Sequence, residues 1–185
     1  MVLLESLKLD LNSKMPKFEL NDSFNTSFSS TQLMGSTGLL ILFTCNHCPY
    51  AVAIWDRVID STELFKQYGV NIVAINPNIN PDYPADSVEN MAKLVNEKSI
   101  KFPYLVDVNQ SVAAEYQAQC TPDLYLVKPD MSLYYHGRFD NNWQNPNKVT
   151  VHDCKDAIVN LVANNNPPAS QYPSMGCSIK WLEKT

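Results

Sequence analysis

The chain has 185 residues, 45% of them hydrophobic and 18% charged, which is enough apolar material for one globular core and too much for a disordered chain. A formal net charge of -5 and a pI near 5.1, without any run of Lys or Arg, argue against nucleic acid or an anionic membrane surface as a partner. Glu5 interrupts the apolar N-terminus with no small-residue cleavage site after it, and the apolar run at 38–43 is too short for a span of roughly 20 residues, so a soluble, cytoplasmic protein is expected.

In chain order, residues 7–22 alternate apolar and polar positions at Leu7, Leu9 and Leu11 and again around Phe18 and Leu20, which predicts a small N-terminal β-hairpin. The continuous apolar run 39–43, bounded by Gly38 and Thr44, predicts a central strand buried on both faces. From Ala51 the period changes: Ala51, Ile54, Trp55, Val58, Ile59, Thr62 and Phe65 share one helical face, which ends near Gly69. A strand at 70–75, a Pro-rich loop at 77–84 and a helix over about 86–96 follow, then a strand at 102–106 and a short helix at about 111–117. Residues 123–127 and 132–138 read as two strands joined by a turn at 128–131, with Tyr134 and Tyr135 as packing residues like Trp55. A polar loop at 139–148, carrying Trp143, leads to a last helix at 151–163, with Cys154 expected as a partly exposed thiol in its first turn. Residues 164–175, rich in Asn and Pro, predict an extended surface tail. Alternating strands and helices without a linker or repeat indicate one α/β domain over 1–185, a central mixed sheet flanked by helices with an N-terminal β-hairpin extension.

Five cysteines form an odd set in a chain too long to need disulfide staples, so redox or metal chemistry is the better expectation. Cys45-Asn46-His47-Cys48-Pro49 falls between the buried strand and the amphipathic helix. The first backbone N–H groups of a helix lack intrahelical acceptors and its dipole favours negative charge there, so a thiolate at this junction is stabilised. Cys45 is expected to attack a disulfide and Cys48 to resolve the mixed disulfide, while Pro49 suits a first turn that does not use its missing N–H. His47 adds a donor or positive charge, which would raise the potential of the pair above the roughly −270 mV of thioredoxin; the alternative is a solvated cap residue.

Strand, Cys-x-x-Cys-Pro and helix, followed much later by Thr121-Pro122 before a strand, resemble a thioredoxin fold of the redoxin or peroxiredoxin-like, AhpC/TSA-related branch. The resemblance extends to Cys120-Thr121-Pro122, Gly137-Arg138 and Gly176-Cys177-Ser178-Ile179-Lys180-Trp181, and so covers nearly the whole chain. It implies that Pro122 is cis and faces the dithiol, that Thr121 pairs with the substrate chain, and that the crowded sulfurs exclude a metal. The sequence departs from thioredoxin at Thr44, where Trp commonly precedes the first Cys, and residues 39–43 hold no acidic proton acceptor.

The chemistry this implies is thiol–disulfide exchange with a protein disulfide or dithiol, or with a small-molecule thiol, by a monomer or homodimer needing no cofactor and no metal. Direct peroxide reduction fits less well, because a Pro-x-x-x-Thr/Ser-x-x-Cys pattern would need its Pro and Thr/Ser at Ile41 and Cys45, or at Gly38 and Leu42, and residues 119–122 supply no Arg; Arg138 is the nearest candidate. Zinc would need a second ligand pair from Cys120, Cys154, Cys177, His136 or His152, and copper carriers of the same fold place three residues between their cysteines. A redox-inert interaction domain is the remaining alternative. Cys120 and Cys177 are accessory thiols: a flexible tail bending at Gly176 would bring Cys177 to Cys120 as a second exchangeable disulfide, the alternative being a buried Cys120 and a tail docked by Ile179 and Trp181.

Overall fold

The computed structural model describes residues 2–182. In chain order its elements are strands β1 (Leu3–Glu5), β2 (Glu19–Asn21) and β3 (Ser27–Ser29), helix α1 (Ser30–Leu33), strand β4 (Gly38–Phe43), and helices α2 (Pro49–Asp60) and α3 (Thr62–Gln67). Strand β5 (Val70–Asn76), helix α4 (Val88–Glu97), strand β6 (Tyr104–Val106) and helix α5 (Ser111–Glu115) follow. The chain continues through strands β7 (Cys120–Thr121), β8 (Asp123–Val127) and β9 (Leu133–Gly137), helix α6 (Asp153–Val162) and strand β10 (Met175–Ser178).

Strand β4 lies at the centre of a mixed sheet ordered β6-β5-β4-β8-β9, parallel to β5 and antiparallel to β8. Its period of two divides the interior. Leu40 and Leu42 point into one core with Ile54, Trp55 and Val58 of α2 and Ala157, Ile158 and Leu161 of α6, whereas Leu39, Ile41 and Phe43 point into a second with Val112 and Ala113 of α5 and Tyr116. All of these are buried, as a strand covered on both faces requires. The fold is thioredoxin-like, with the mixed sheet and flanking helices that the pattern predicts.

Four local features differ from the sequence expectations. The single helix expected to run to Gly69 is two, because Ser61 closes α2: its N–H and hydroxyl both turn back to the Arg57 carbonyl, at 3.1 and 2.7 Å. The N-terminal hairpin is β2 with β3, its turn held by Asp22 Oδ1 accepting the N–H groups of Phe24 and Thr26; the chain before β2 carries no strand from residue 6 to 18, although Leu9 and Leu11 still pack on the core. Cys154 is fully buried rather than partly exposed, because the first turn of α6 lies against Tyr135 of β9 and its N–H donates to the Phe139 carbonyl at 3.1 Å. The tail ends not as a loose segment but in β10, which pairs with β1 on one side and β7 on the other in a second small sheet. Beyond it the Lys180 N–H donates to Asn78 Oδ1 at 2.9 Å and the Leu182 N–H to Gln110 Oε1 at 2.7 Å. Among the described residues no helix is long and apolar enough to cross a membrane.

Candidate active site

Three segments converge beyond the end of β4. The loop 44–47 carries the first cysteine, and the helix starts four residues later than Cys45, so Cys48 is the N-cap of α2 and Pro49 its first residue. Strand β8 runs antiparallel to β4 with Asp123 opposite Phe43, which brings the preceding Thr121-Pro122 turn, whose peptide bond is cis, across from the loop. Strand β10 closes the third side, with Cys177 opposite Thr121.

The sulfurs are buried, and both meet Thr121: Cys45 Sγ is 3.3 Å from Thr121 Oγ1, and the Cys48 thiol donates to the Thr121 carbonyl at 2.9 Å. Cys45, Cys48, Ala51 and Cys177 share one small apolar cluster. The helix start expected to stabilise a Cys45 thiolate therefore lies at Cys48. The thiol of Cys45 donates to Cys48, the thiol of Cys177 and the backbone N–H groups of Ala51 and Cys177 add to it, and against burial these bring Cys48 down to about 5. The Thr121 carbonyl opposes that charge, but one acceptor stands against four donors. Cys45 goes the other way: burial, then its hydrogen bond to Cys48 and the nearby Asp86 carboxylate, push it well above the usual thiol range, so the two thiols titrate as one system with Cys48 its more acidic member.

Asp86, the residue that sequence reasoning missed, fixes the Cys-x-x-Cys loop. It is fully buried in the short turn Pro84–Asp86 after β5, and its Oδ1 accepts the N–H groups of Asn46 and His47 at 2.6 and 3.2 Å. Its Oδ2 takes His47 Nδ1, and the imidazole stacks on Tyr83 with centroids 5.2 Å apart. His47 is thus paired with a carboxylate rather than aimed at the sulfurs, and Tyr104 donates to Asn46 Oδ1 at 3.0 Å from below. A usable signal existed: β5 is parallel to β4, so the loops after both strands emerge at one edge. Cys45, His47 and Asp86 offer ligand atoms within 4.8 Å of one another, but a metal there would have to displace the hydrogen bonds that Asp86 already accepts.

Of the other expected residues, Thr121 lies against the dithiol and the bond to Pro122 is cis, but the strand partner opposite Thr121 is Cys177 of β10, where a substrate chain was expected. Cys120 does not join it: its sulfur faces the Pro122 carbonyl at 3.6 Å, burial pushes its thiol far up, and it sits opposite Ser178 rather than Cys177. Because successive strand residues face opposite ways, Cys120 and Cys177 lie on opposite faces of the small sheet, and the expected bridge between them has no path. Arg138 is engaged by Asp153, with Nε to Oδ2 at 2.8 Å, and lies over the Tyr172 ring. A cavity of about 420 Å³ is lined by Ile54, Pro122, Arg138, Trp143 and Tyr172, without either cysteine, and Trp143 packs on Tyr50 with ring centroids 4.1 Å apart.

Residues 11–136 match the AhpC/TSA family. The chain belongs to that family. Two solved structures align with it over almost their whole length: an uncharacterized conserved protein from Geobacillus kaustophilus, with 34% identity, 100% of this chain and 99% of that one covered and a TM-score of 0.93, and a hypothetical protein from Sinorhizobium meliloti, with 32% identity, 97% and 99% covered and a TM-score of 0.91. The peroxidoxin BcpB from Mycobacterium tuberculosis is similar in fold, with a TM-score of 0.65 over 84% of this chain and 98% of that one at 16% identity. None of the curated proteins compared with the chain matches significantly. AhpC/TSA membership supports a thioredoxin-like redox function.

Proposed function

We propose that this protein is a thiol–disulfide oxidoreductase that exchanges disulfides through Cys45 and Cys48. The observation that carries the reading is the pairing of two buried thiols against Thr121, ahead of a cis proline, with Cys48 at the N-cap of α2. In the proposed cycle the Cys48 thiolate attacks one sulfur of a partner disulfide; the partner's S–S bond breaks, and the leaving thiolate takes up a proton. Cys45 then gives up its proton and attacks Cys48 Sγ. The Cys45–Cys48 bond forms as the mixed disulfide breaks, so the partner leaves as a dithiol and the enzyme holds the disulfide. Run backwards, the same steps oxidise a partner. The cavity beside Pro122, with Trp143 and Tyr172 in its wall, supplies a place for the partner's chain. A protein disulfide or a small-molecule thiol fits this chemistry, and Asp86 holds the loop by accepting the N–H groups of Asn46 and His47.

The AhpC/TSA family keeps peroxide reduction as the rival, but the engagement of Arg138 by Asp153 and Tyr172 favours disulfide exchange. Turnover of insulin disulfides with dithiothreitol as reductant, run beside consumption of hydrogen peroxide, separates the two. Disulfide turnover that falls by about 100-fold or more in Cys48→Ser, and clearly below the unmodified protein in Cys45→Ser, supports the reading. Peroxide consumption that survives Cys45→Ser, with no disulfide turnover in the unmodified protein, refutes it, as does a stoichiometric metal in protein purified under reducing conditions.

A further inference from the structure

Cys177 lies far from the Cys-x-x-Cys motif in sequence and beside it in space. We propose that Cys177 is a third exchanging thiol, which forms with Cys48 a disulfide interchangeable with the Cys45–Cys48 bond. The proposal rests on the reading that Cys45 and Cys48 cycle as a pair, and extends it.

The strand register carries the argument. Cys177 stands opposite Thr121, and residues directly opposite in an antiparallel pair face the same way, so Cys177 shares the face on which Thr121 Oγ1 meets Cys45 Sγ. On that face Cys45, Cys48 and Cys177 form one buried cluster around Ala51. Gly176 makes the approach possible: a Cβ there would come within 2.0 Å of the Thr121 carbonyl oxygen and 3.1 Å of Pro122 Cδ, so any side chain would lift β10 off the turn. The strand is held from both sides by β1 and β7, and Asn78 anchors the chain just beyond it. Cys177 is therefore a positioned neighbour of Cys48, with the high effective concentration that fixed geometry confers.

The exchange balances without any added oxidant. Cys177 gives up its proton and its sulfur attacks Cys48 Sγ; the Cys48–Cys177 bond forms, the Cys45–Cys48 bond breaks, and the electron pair leaves on Cys45 Sγ, which takes up a proton. One disulfide and one thiol exist before and after. Cys177 is the reserve nucleophile of the set, since burial and its contact with Cys48 push its thiol up to about 12. Cys48 becomes the hub, and a partner bound to it in a mixed disulfide is releasable from either side.

The test uses oxidised glutathione on Cys45→Ser protein, followed by acid quench and peptide mapping without reductant. The expected product is a Cys48–Cys177 disulfide with both halves of the oxidant released as reduced glutathione, whereas Cys45→Ser/Cys177→Ser protein stops at a glutathione adduct on Cys48. An adduct on Cys48 in the single variant, with Cys177 still open to alkylation, overturns the proposal. The unmodified protein, oxidised and quenched in the same way, gives the answer without any substitution: a fraction bridged Cys48–Cys177 beside the Cys45–Cys48 form is expected, and its complete absence counts against Cys177. Failure of Cys45–Cys48 to form in that arm counts instead against the underlying pair, so the two failures are told apart.

Discussion

The sulfur of Cys48 collects more hydrogen-bond donors than that of Cys45, and a thiolate held at about 5 instead of the ordinary 9.0 has consequences for folding as well as for reactivity. Between those two values the folded, reduced protein has released a proton that the unfolded chain still binds, so its stability should rise with pH across that window and be lost as pH falls through about 5. The raised thiols of Cys45 and Cys177 act only above the window. Ultraviolet thiolate absorbance of the reduced protein should accordingly show a step near pH 5 that is missing in Cys48→Ser, and urea midpoints should rise more from pH 5 to 8 in the unmodified protein than in that variant; a single step near pH 9 would refute the assignment. His47 acts through Asp86. Replacing it with Ala leaves the buried carboxylate without its imidazole partner close to Cys45, which disfavours the thiolate state and should lower the potential of the pair by about 30 mV, corresponding to roughly 1.4 kcal/mol for a two-electron couple. A rise in potential, measured against a glutathione buffer, would contradict this.

Helix α2 and strand β4 were legible in the sequence because each carries its own pattern, a 3.6-residue period through Ala51, Ile54, Trp55 and Val58 and an unbroken apolar run from Leu39 to Phe43. Strands β7 and β10 were not, because two and four residues are too few for a period and both exist only through their pairing. The same reason hid Cys177: its position depends on register with Thr121, which no local signal encodes. Asp86 and the buried setting of Cys154 are likewise products of tertiary contact. The polar loop 139–148 owes its place to α2, where Arg57 pairs with the nearly fully buried Asp140 and donates to the Trp143 carbonyl at 2.7 Å. Asp140→Ala leaves that guanidinium without its carboxylate and should cost about 3 kcal/mol, read as a lower urea midpoint. Trp143 should then leave Tyr50 and change its fluorescence. An unchanged midpoint would show that the loop is held by other contacts.

At the scale of the whole molecule, the two sheets divide the work. The five-stranded sheet and its two cores hold the ends of β4, β5 and β8 in register, and those ends deliver the cysteines, Asp86 and Thr121 to one point. The small sheet ties both chain ends to that point, since β10 lies between β1 and β7. Ending the chain before Met175 should therefore remove a wall of the site while leaving the five-stranded sheet paired: the far-ultraviolet spectrum should stay close to that of the full chain while disulfide turnover falls at least 10-fold, and undiminished turnover would show that the wall is dispensable. The central claim, that Cys45 and Cys48 cycle as a disulfide, is tested most directly by equilibrating the protein with graded ratios of reduced and oxidised glutathione and mapping the alkylated cysteines. The account predicts a two-electron transition in which Cys45 and Cys48 lose alkylation together, at a potential above the roughly −270 mV of thioredoxin. It is contradicted if Cys45 stays alkylatable at every ratio while hydrogen peroxide alone drives Cys48 to a sulfenic or sulfinic acid.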